Sequence, residues 1–196
     1  MTLVTGVVVC GGRSTRMRRD KSLIDYHGIP QWQFAYNLLH PHCSRIVISC
    51  NTSQTKQFQS VNNILVDDAK FTEIGPMGAV LTAFRAYPSS PLLVIGCDYP
   101  LVASDDLSNL MKTRQEGIDA VCLYHEVGQV EEPLVALYEP SMHPILLTCF
   151  RNSDFSLRKA LVRSSTLRIP PASVNSLATA DTPEQMTQLM ELLKTV

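Results

Sequence analysis

The sequence has few charged residues, a single tryptophan and almost no net charge. Only 18% of its 196 residues are charged, 45% are hydrophobic, and the net charge is −1. A chain this close to neutrality has no field to draw it onto DNA or RNA. Its apolar content suffices for one complete core. We therefore expect one domain spanning residues 1–196, with small-molecule ligands and no nucleic-acid partner.

The sequence also lacks the segments that direct a chain into or across a membrane. No apolar run reaches the roughly 20 residues of a membrane span, and residues 1–10 lack the basic start of a signal peptide. The six cysteines are scattered, without a CxxC pair or the Cys/His spacing of a zinc site. Several lie in apolar runs, where a reduced thiol packs as a small hydrophobe. We expect a cytoplasmic protein with reduced thiols and no membrane association.

Short β-branched runs alternate with segments of helical period, which is typical of a βαβ series. Apolar strands such as 91–95 suit a mostly parallel sheet covered on both faces, and right-handed crossovers then predict a doubly wound, three-layer α/β/α sandwich. Ligands in such sheets bind at the carboxyl ends of strands. The predicted strands are Leu3–Cys10, Arg45–Ser49, Asn63–Val66, Leu92–Gly96, Asp119–Leu123 and Pro133–Tyr138. The predicted helices are Gln31–Leu39, Ser53–Ser60, Met77–Ala86, Asp105–Thr113, Met142–Phe150, Ser156–Arg163 and Pro183–Leu193, with a hairpin or lid over Glu126–Glu132.

The first predicted strand runs into two glycines and a cluster of cations. Gly11 and Gly12 follow the apolar run 7–10, and four Arg and one Lys lie within the nine residues 13–21. Adjacent glycines let backbone N–H groups approach an anion, and the cations supply the opposing charge. The pattern indicates a polyphosphate loop, although neither GxGxxG nor GxxxxGK[ST] is present. A tight turn followed by a solvated basic segment is the alternative.

Acidic residues follow two later strands. Asp98 comes directly after the strand at 92–96, so its carboxylate is a candidate Mg²⁺ ligand beside the loop. Asp67 and Asp68 follow the strand at 63–66, where either carboxylate would accept hydrogen bonds from a base or a ribose. Taken alone, each of these residues is also consistent with a cap or a turn.

Together these motifs resemble, in order, those of the nucleotidyltransferases similar to molybdenum cofactor guanylyltransferase, from about residue 5 to 190. The signature loop of that family, Leu-Ala-Gly-Gly-x-Ser-x-Arg-Met-Gly-x-Asp-Lys, is matched by Cys10-Gly11-Gly12-Arg13-Ser14-Thr15-Arg16-Met17 and Asp20-Lys21. Later matches are Gly28-Ile29-Pro30, Gly75-Pro76-Met77-Gly78-Ala79-Val80, Cys97-Asp98-Tyr99-Pro100 and Glu132-Pro133-Leu134-Val135-Ala136-Leu137-Tyr138.

The resemblance implies a Rossmann-like nucleotidyltransferase fold and transfer of GMP from GTP to molybdopterin, with release of pyrophosphate. The acceptor phosphate is already ionised, so catalysis reduces to positioning and charge neutralisation at the α-phosphate. The implied nucleotide-binding residues are Cys10, Gly11, Gly12, Ser14, Lys21, Asn51, Asp68 and Asp98. The implied catalytic residues are Arg16, Lys21 and Asp98, and Asp98 is the implied ligand of the cofactor Mg²⁺.

Two departures from the family pattern keep other functions open. Arg18 stands where the family has glycine, and Thr179-Ala180-Asp181 replaces a segment with two asparagines. One alternative is a cytidylyltransferase, or another nucleotidyltransferase with a different phosphorylated acceptor. A second is an inactive nucleotide-binding protein that hands cofactor to a molybdoenzyme or to another cofactor-biosynthesis protein. A third is an α/β domain without a nucleotide site.

Overall fold

A computed structural model describes residues 3–11, 20–58, 61 and 63–194, and the strands in this part of the chain form one seven-stranded sheet. The strands are β1 (Thr5–Val9), β2 (Arg45–Cys50), β3 (Ile64–Val66), β4 (Leu92–Gly96), β5 (Ala120–His125), β6 (Val130–Tyr138) and β7 (Thr166–Ile169). The helices are α1 (Gln31–Leu39), α2 (Pro76–Ala86), α3 (Ser104–Thr113), α4 (Met142–Arg151), α5 (Leu157–Val162) and α6 (Pro183–Leu193). Short 3₁₀ turns cover Lys21–Leu23, Thr52–Phe58 and Ala69–Phe71.

The strand order is β3-β2-β1-β4-β6-β5-β7. Strand β1 pairs in parallel with β2 on one side and with β4 on the other, and β6 runs antiparallel to both β4 and β5. The chain therefore builds outward from β1 to β3 and then returns to the opposite side of β1. This reversal opens a crevice at the carboxyl ends of β1 and β4, which is where open α/β sheets bind ligands.

Alternate residues of the central strands pack into two separate cores. Val8 and Ile48 face one core together with Leu39 of α1 and Leu107 of α3. The neighbouring strand residues, including Val7, join a second core with residues of α2, α4 and α5. Since both faces of the sheet are covered, the predicted three-layer, mostly parallel, doubly wound architecture is confirmed. That residues 1–196 form a single domain stays a prediction.

Two elements differ from the sequence-based predictions, and the hairpin expected as one alternative over Glu126–Glu132 is confirmed. The predicted helix at 53–60 is a 3₁₀ segment over Thr52–Phe58. The polar segment 126–132 is a hairpin, because β5 ends at His125 and β6 begins at Val130, with left-handed φ values of 86° at Gly128 and 52° at Gln129. Strand β7 was not predicted, because four half-exposed residues at a sheet edge carry too little periodicity.

In the part of the chain that the structure describes, no helix combines the length with the apolar character that crossing a membrane requires.

Helix α2 packs closely on the turn at 69–71, and Gly78 makes this approach possible. A methyl group added at Gly78 would overlap the carbonyl oxygen of Phe71. We expect Gly78→Ala to destabilise the protein by about 1–3 kcal/mol, because overpacking outweighs the better helix propensity of alanine. Urea unfolding measures the loss. Asn109→Ala on the exposed face of α3 is the control, and an equal effect of the two substitutions would contradict the argument.

Candidate active site

The carboxyl ends of four parallel strands meet at the crevice beside β1. Cys10 and Gly11 follow β1, Asn51 follows β2, Asp67 follows β3, and Asp98 lies two residues beyond β4. Parallel strands end at the same edge of a sheet, so residues distant in sequence gather there. This edge therefore presents backbone, amide and carboxylate groups to one space.

Lys21 enters this space from a short turn that is capped by Asp20. Asp20 Oδ1 accepts hydrogen bonds from the Ser22 backbone N–H at 3.0 Å and from the Ser22 hydroxyl at 2.7 Å. The ammonium group of Lys21 lies 3.7 Å from Asp98 Oδ2 and donates to Asp181 Oδ1 at 2.6 Å. The lysine thus bridges two carboxylates that are far apart in the sequence.

Asp181 is held in place by the start of α6. The Thr182 hydroxyl caps this helix by accepting a hydrogen bond from the Gln185 N–H at 3.3 Å, and Pro183 begins the helix, as predicted. The Gln185 side chain returns to accept from the Asp181 N–H at 2.8 Å. A segment that departs from the family pattern therefore still delivers a carboxylate to Lys21.

Asp98 sits in a strongly charged setting. Burial raises the pKa of the Asp98 carboxyl, and the neighbouring charges of Glu132 and Asp181 raise it further, whereas the Lys21 ammonium opposes this shift. The Asp98 side chain nevertheless keeps 29% of its surface exposed. The carboxylate is thus accessible to a ligand, and an added cation beside it would favour its ionised form.

Glu132 of β6 places a further carboxylate near Asp98. Its side chain is 7% exposed, and its oxygens lie 3.0 Å from His125 Nε2 and 3.1 Å from the Leu134 N–H, which donates to it. Its charge raises the pKa values of both Asp98 and Tyr99. The sequence placed Glu132 in a motif of the family but assigned it no role at the site. The signal was available, because an acid at the start of an apolar strand signals a buried charge that needs partners.

The donors at this edge fit a magnesium ion that arrives with phosphates. Asp98 and Asp181 both bring hard carboxylate oxygens to the position of one cation, the Lys21 ammonium. Among residues 3–11, 20–58, 61 and 63–194, no three His, Cys, Asp or Glu side chains are grouped so as to hold a metal by themselves. Protein-bound Mg²⁺ commonly takes one or two carboxylates and completes its shell with phosphate oxygens and water.

The two consecutive aspartates after β3 point to different surroundings. Asp67 Oδ2 lies 3.3 Å from where a Cβ on Gly11 would be, and Asp67 Oδ1 accepts from the Ser49 hydroxyl at 2.9 Å. Asp68 instead caps the next turn by accepting from the Lys70 N–H at 2.8 Å, and it pairs with Arg85. The structure therefore brings Asp67, rather than Asp68, against the loop glycine. A base or ribose contact from Asp68 stays a prediction.

Asn51 and Cys10 are held by the sheet and its turns. The side-chain oxygen of Asn51 accepts from the Gln54 N–H at 3.1 Å and from the Ser53 hydroxyl at 2.6 Å, so it caps the 3₁₀ segment. The Cys10 N–H donates to the Ser49 carbonyl at 2.9 Å, and its thiol is buried. A phosphate contact from the Cys10 N–H would have to replace this bond, whereas Cys10 as it stands positions Gly11.

Of the remaining predicted site residues, Gly12, Ser14 and Arg16 lie outside the described part of the chain. The structure brings together Cys10, Gly11, Lys21, Asp67 and Asp98, and Asp181 and Glu132 lie with them.

Gly11 after β1, the Lys21 ammonium and the Asp98 carboxylate beyond β4 gather at the reversal point of a mostly parallel sheet, which is where α/β enzymes bind nucleotides. Residues 6–168 match the family model described as the MobA-like NTP transferase domain. The chain belongs to this family and is a nucleotidyltransferase. The predicted membership and enzyme class are thereby confirmed.

Similar proteins with curated names support the same assignment. The chain is 30% identical, over 96% of its length, to a molybdenum cofactor biosynthesis bifunctional protein of Synechocystis sp., but it spans only 54% of that protein. It is 29% identical to a molybdenum cofactor guanylyltransferase of Pseudomonas putida, covering 92% of this chain and 94% of the relative.

A solved structure shows the same fold. The molybdopterin-guanine dinucleotide biosynthesis protein A of Archaeoglobus fulgidus superposes with a TM-score of 0.79, covering 98% of this chain and 100% of that one. At 19% sequence identity, this likeness concerns the fold.

Proposed function

We propose that the protein transfers GMP from GTP to molybdopterin in a Mg²⁺-dependent reaction that releases pyrophosphate. The observation that carries the proposal is the placement of Lys21 between Asp98 and Asp181, at the crevice beside Gly11. Family membership supports the transfer of a nucleotidyl group, and the guanylyltransferase relatives support the choice of GTP and molybdopterin.

The proposed reaction needs charge neutralisation more than proton transfer. An oxygen of the acceptor phosphate attacks the α-phosphorus of GTP, and the bond from that phosphorus to the oxygen bridging to the β-phosphate breaks. Pyrophosphate leaves with the electron pair of that bond. Because the attacking phosphate is already ionised, no general base is required.

Each charged residue at the crevice has a role in this proposal. Asp98, with Asp181 beside it, would hold Mg²⁺, which supplies positive charge to the phosphate oxygens when bound. Lys21 would stabilise the charge that develops on the leaving pyrophosphate. Gly11 leaves room for the nucleotide, because any side chain there would point at Asp67.

Pyrophosphate release tests the proposal directly. GTP, CTP, ATP and UTP are compared with Mg²⁺, with and without molybdopterin, and with EDTA as the metal-free control. We expect turnover that requires GTP, molybdopterin and Mg²⁺ together, with a preference over CTP of at least about tenfold, which corresponds to 1.4 kcal/mol.

The other outcomes separate the alternatives. Selective turnover with CTP, or with a different phosphorylated acceptor, would move the protein to a sister activity of the same fold. Nucleotide binding without pyrophosphate release under any condition would favour a cofactor-delivery function.

A further inference from the structure

We infer that Gln54 is a positioning residue that holds the turn bearing Lys21 against the end of β1. Gln54 lies in the 3₁₀ segment after β2 and is 5% exposed. Its amide nitrogen donates to the Cys10 carbonyl at 3.1 Å and to Asp20 Oδ2 at 2.7 Å. One buried amide therefore joins the residue before Gly11 to the residue before Lys21.

Both polar atoms of the Gln54 side-chain amide form hydrogen bonds. Its oxygen accepts a hydrogen bond from the Asn51 N–H at 3.2 Å, which anchors the amide to the end of β2. Its two donor hydrogens match the two acceptors, a backbone carbonyl and a carboxylate. Hydrogen bonds to an ionised acceptor are shorter and stronger than neutral ones, in agreement with the short contact to Asp20.

The contacts continue from Gln54 to the catalytic cation. While Asp20 Oδ2 binds Gln54, Asp20 Oδ1 binds both the N–H and the hydroxyl of Ser22 and so shapes the turn that presents Lys21. Without the amide, this carboxylate would lose its tie to β1 and β2.

The chemistry of this position requires an amide. A leucine of similar size has no donor for the Cys10 carbonyl or for Asp20. A glutamate places a second negative charge against Asp20 when ionised, but it regains one donor when it is protonated. The two substitutions therefore differ in their pH dependence, whereas loss of packing would not produce such a difference.

The test compares Gln54→Leu and Gln54→Glu with Gln57→Leu, an exposed glutamine in the same 3₁₀ segment. Pyrophosphate release with GTP, molybdopterin and Mg²⁺ gives kcat and KM, and this readout rests on the proposed function. We expect Gln54→Leu to lower kcat/KM by roughly a hundredfold, since small misplacements of a catalytic group cost about this much. Gln57→Leu should remain within twofold, a change of about 0.4 kcal/mol.

The pH profile isolates the contact with Asp20. We expect the activity of Gln54→Glu, relative to that of the natural protein, to rise as the pH falls from about 8 to 5.5, because protonation restores a donor toward Asp20. A relative activity that is flat or falls over this range would overturn the inference.

A second readout does not depend on the substrate. Hydrogen exchange at the Ser22, Leu23 and Ile24 amides, which are bonded within the Asp20 turn, should accelerate at least tenfold in Gln54→Leu and remain unchanged in Gln57→Leu. Unchanged exchange together with unchanged kcat/KM would overturn the inference. If the natural protein proves inactive with GTP, the proposed function fails, but the exchange rates still decide the role of Gln54. If Gln54→Leu does not fold, Gln54→Glu at acidic and neutral pH decides it.

Discussion

Asp98→Ala is expected to lower kcat at least about a hundredfold, which corresponds to a loss of roughly 3 kcal/mol of transition-state stabilisation. The reason is that Asp98 lies at the crevice two residues beyond β4, 3.7 Å from the Lys21 ammonium, and the proposed Mg²⁺ depends on it. Pyrophosphate release at saturating Mg²⁺ and GTP measures the loss. Asp105→Ala, on the exposed start of α3, is the matched control. Retention of the natural kcat by Asp98→Ala would remove Asp98 from the reaction.

The same residue allows activity to be separated from stability. Burial raises the pKa of Asp98 above its ordinary value of 3.8, so the folded protein holds the proton more tightly than the unfolded chain does. The contribution of Asp98 to stability therefore falls as the pH rises from the unfolded pKa to the folded pKa. Asp98→Asn has no carboxylate to ionise, so it avoids this loss of stability at higher pH, and it keeps the shape of the side chain. We expect its Tm at neutral pH to equal or exceed that of the natural protein while its activity is lost, and a lower Tm would contradict this account.

Lys21→Met is expected to lower kcat/KM for the nucleotide by roughly a hundredfold to a thousandfold, comparable to removal of one preorganised electrostatic group. Lys21 forms ion pairs with both Asp98 and Asp181. Its loss removes the positive charge that would stabilise the leaving pyrophosphate. It also leaves the two carboxylates to repel the phosphates of the nucleotide. Steady-state kinetics measures the effect on the reaction rate, and a separate nucleotide-binding measurement gives the effect on affinity.

The controls for Lys21 separate charge from geometry. Lys112→Met, at an exposed position on α3, should leave both constants unchanged. Lys21→Arg keeps the charge but changes the donor geometry, so we expect only partial recovery. Full activity of Lys21→Met would contradict the proposed role.

Much of the fold was readable because its signals are local. The alternation of apolar strands with helical periods predicted β1, β2 and β4 and all six helices, including the start of α6 at Pro183. The position of Asp98 directly after β4 likewise followed from the sequence, since the carboxyl ends of parallel strands line the site.

Other features required contacts between residues far apart in the chain. The insertion of β6 between β4 and β5, and the pairing of β7 with β5, depend on which strands meet, and no local period encodes that choice. Asp67 and Asp68 are adjacent and chemically identical. Tertiary contacts distinguish their surroundings, since Arg85 pairs with Asp68 whereas Asp67 lies against Gly11.

By itself, the sequence determined the layered α/β architecture, the glycine that follows the first strand and the family, because each depends on runs of neighbouring residues. The tertiary structure alone decided that Lys21 meets Asp181, 160 residues away, and that Gln54 ties Asp20 to Cys10. The physical reason is that such contacts are selected by the folding of the whole sheet, which brings together carboxyl ends and buried donors that have no relation along the chain.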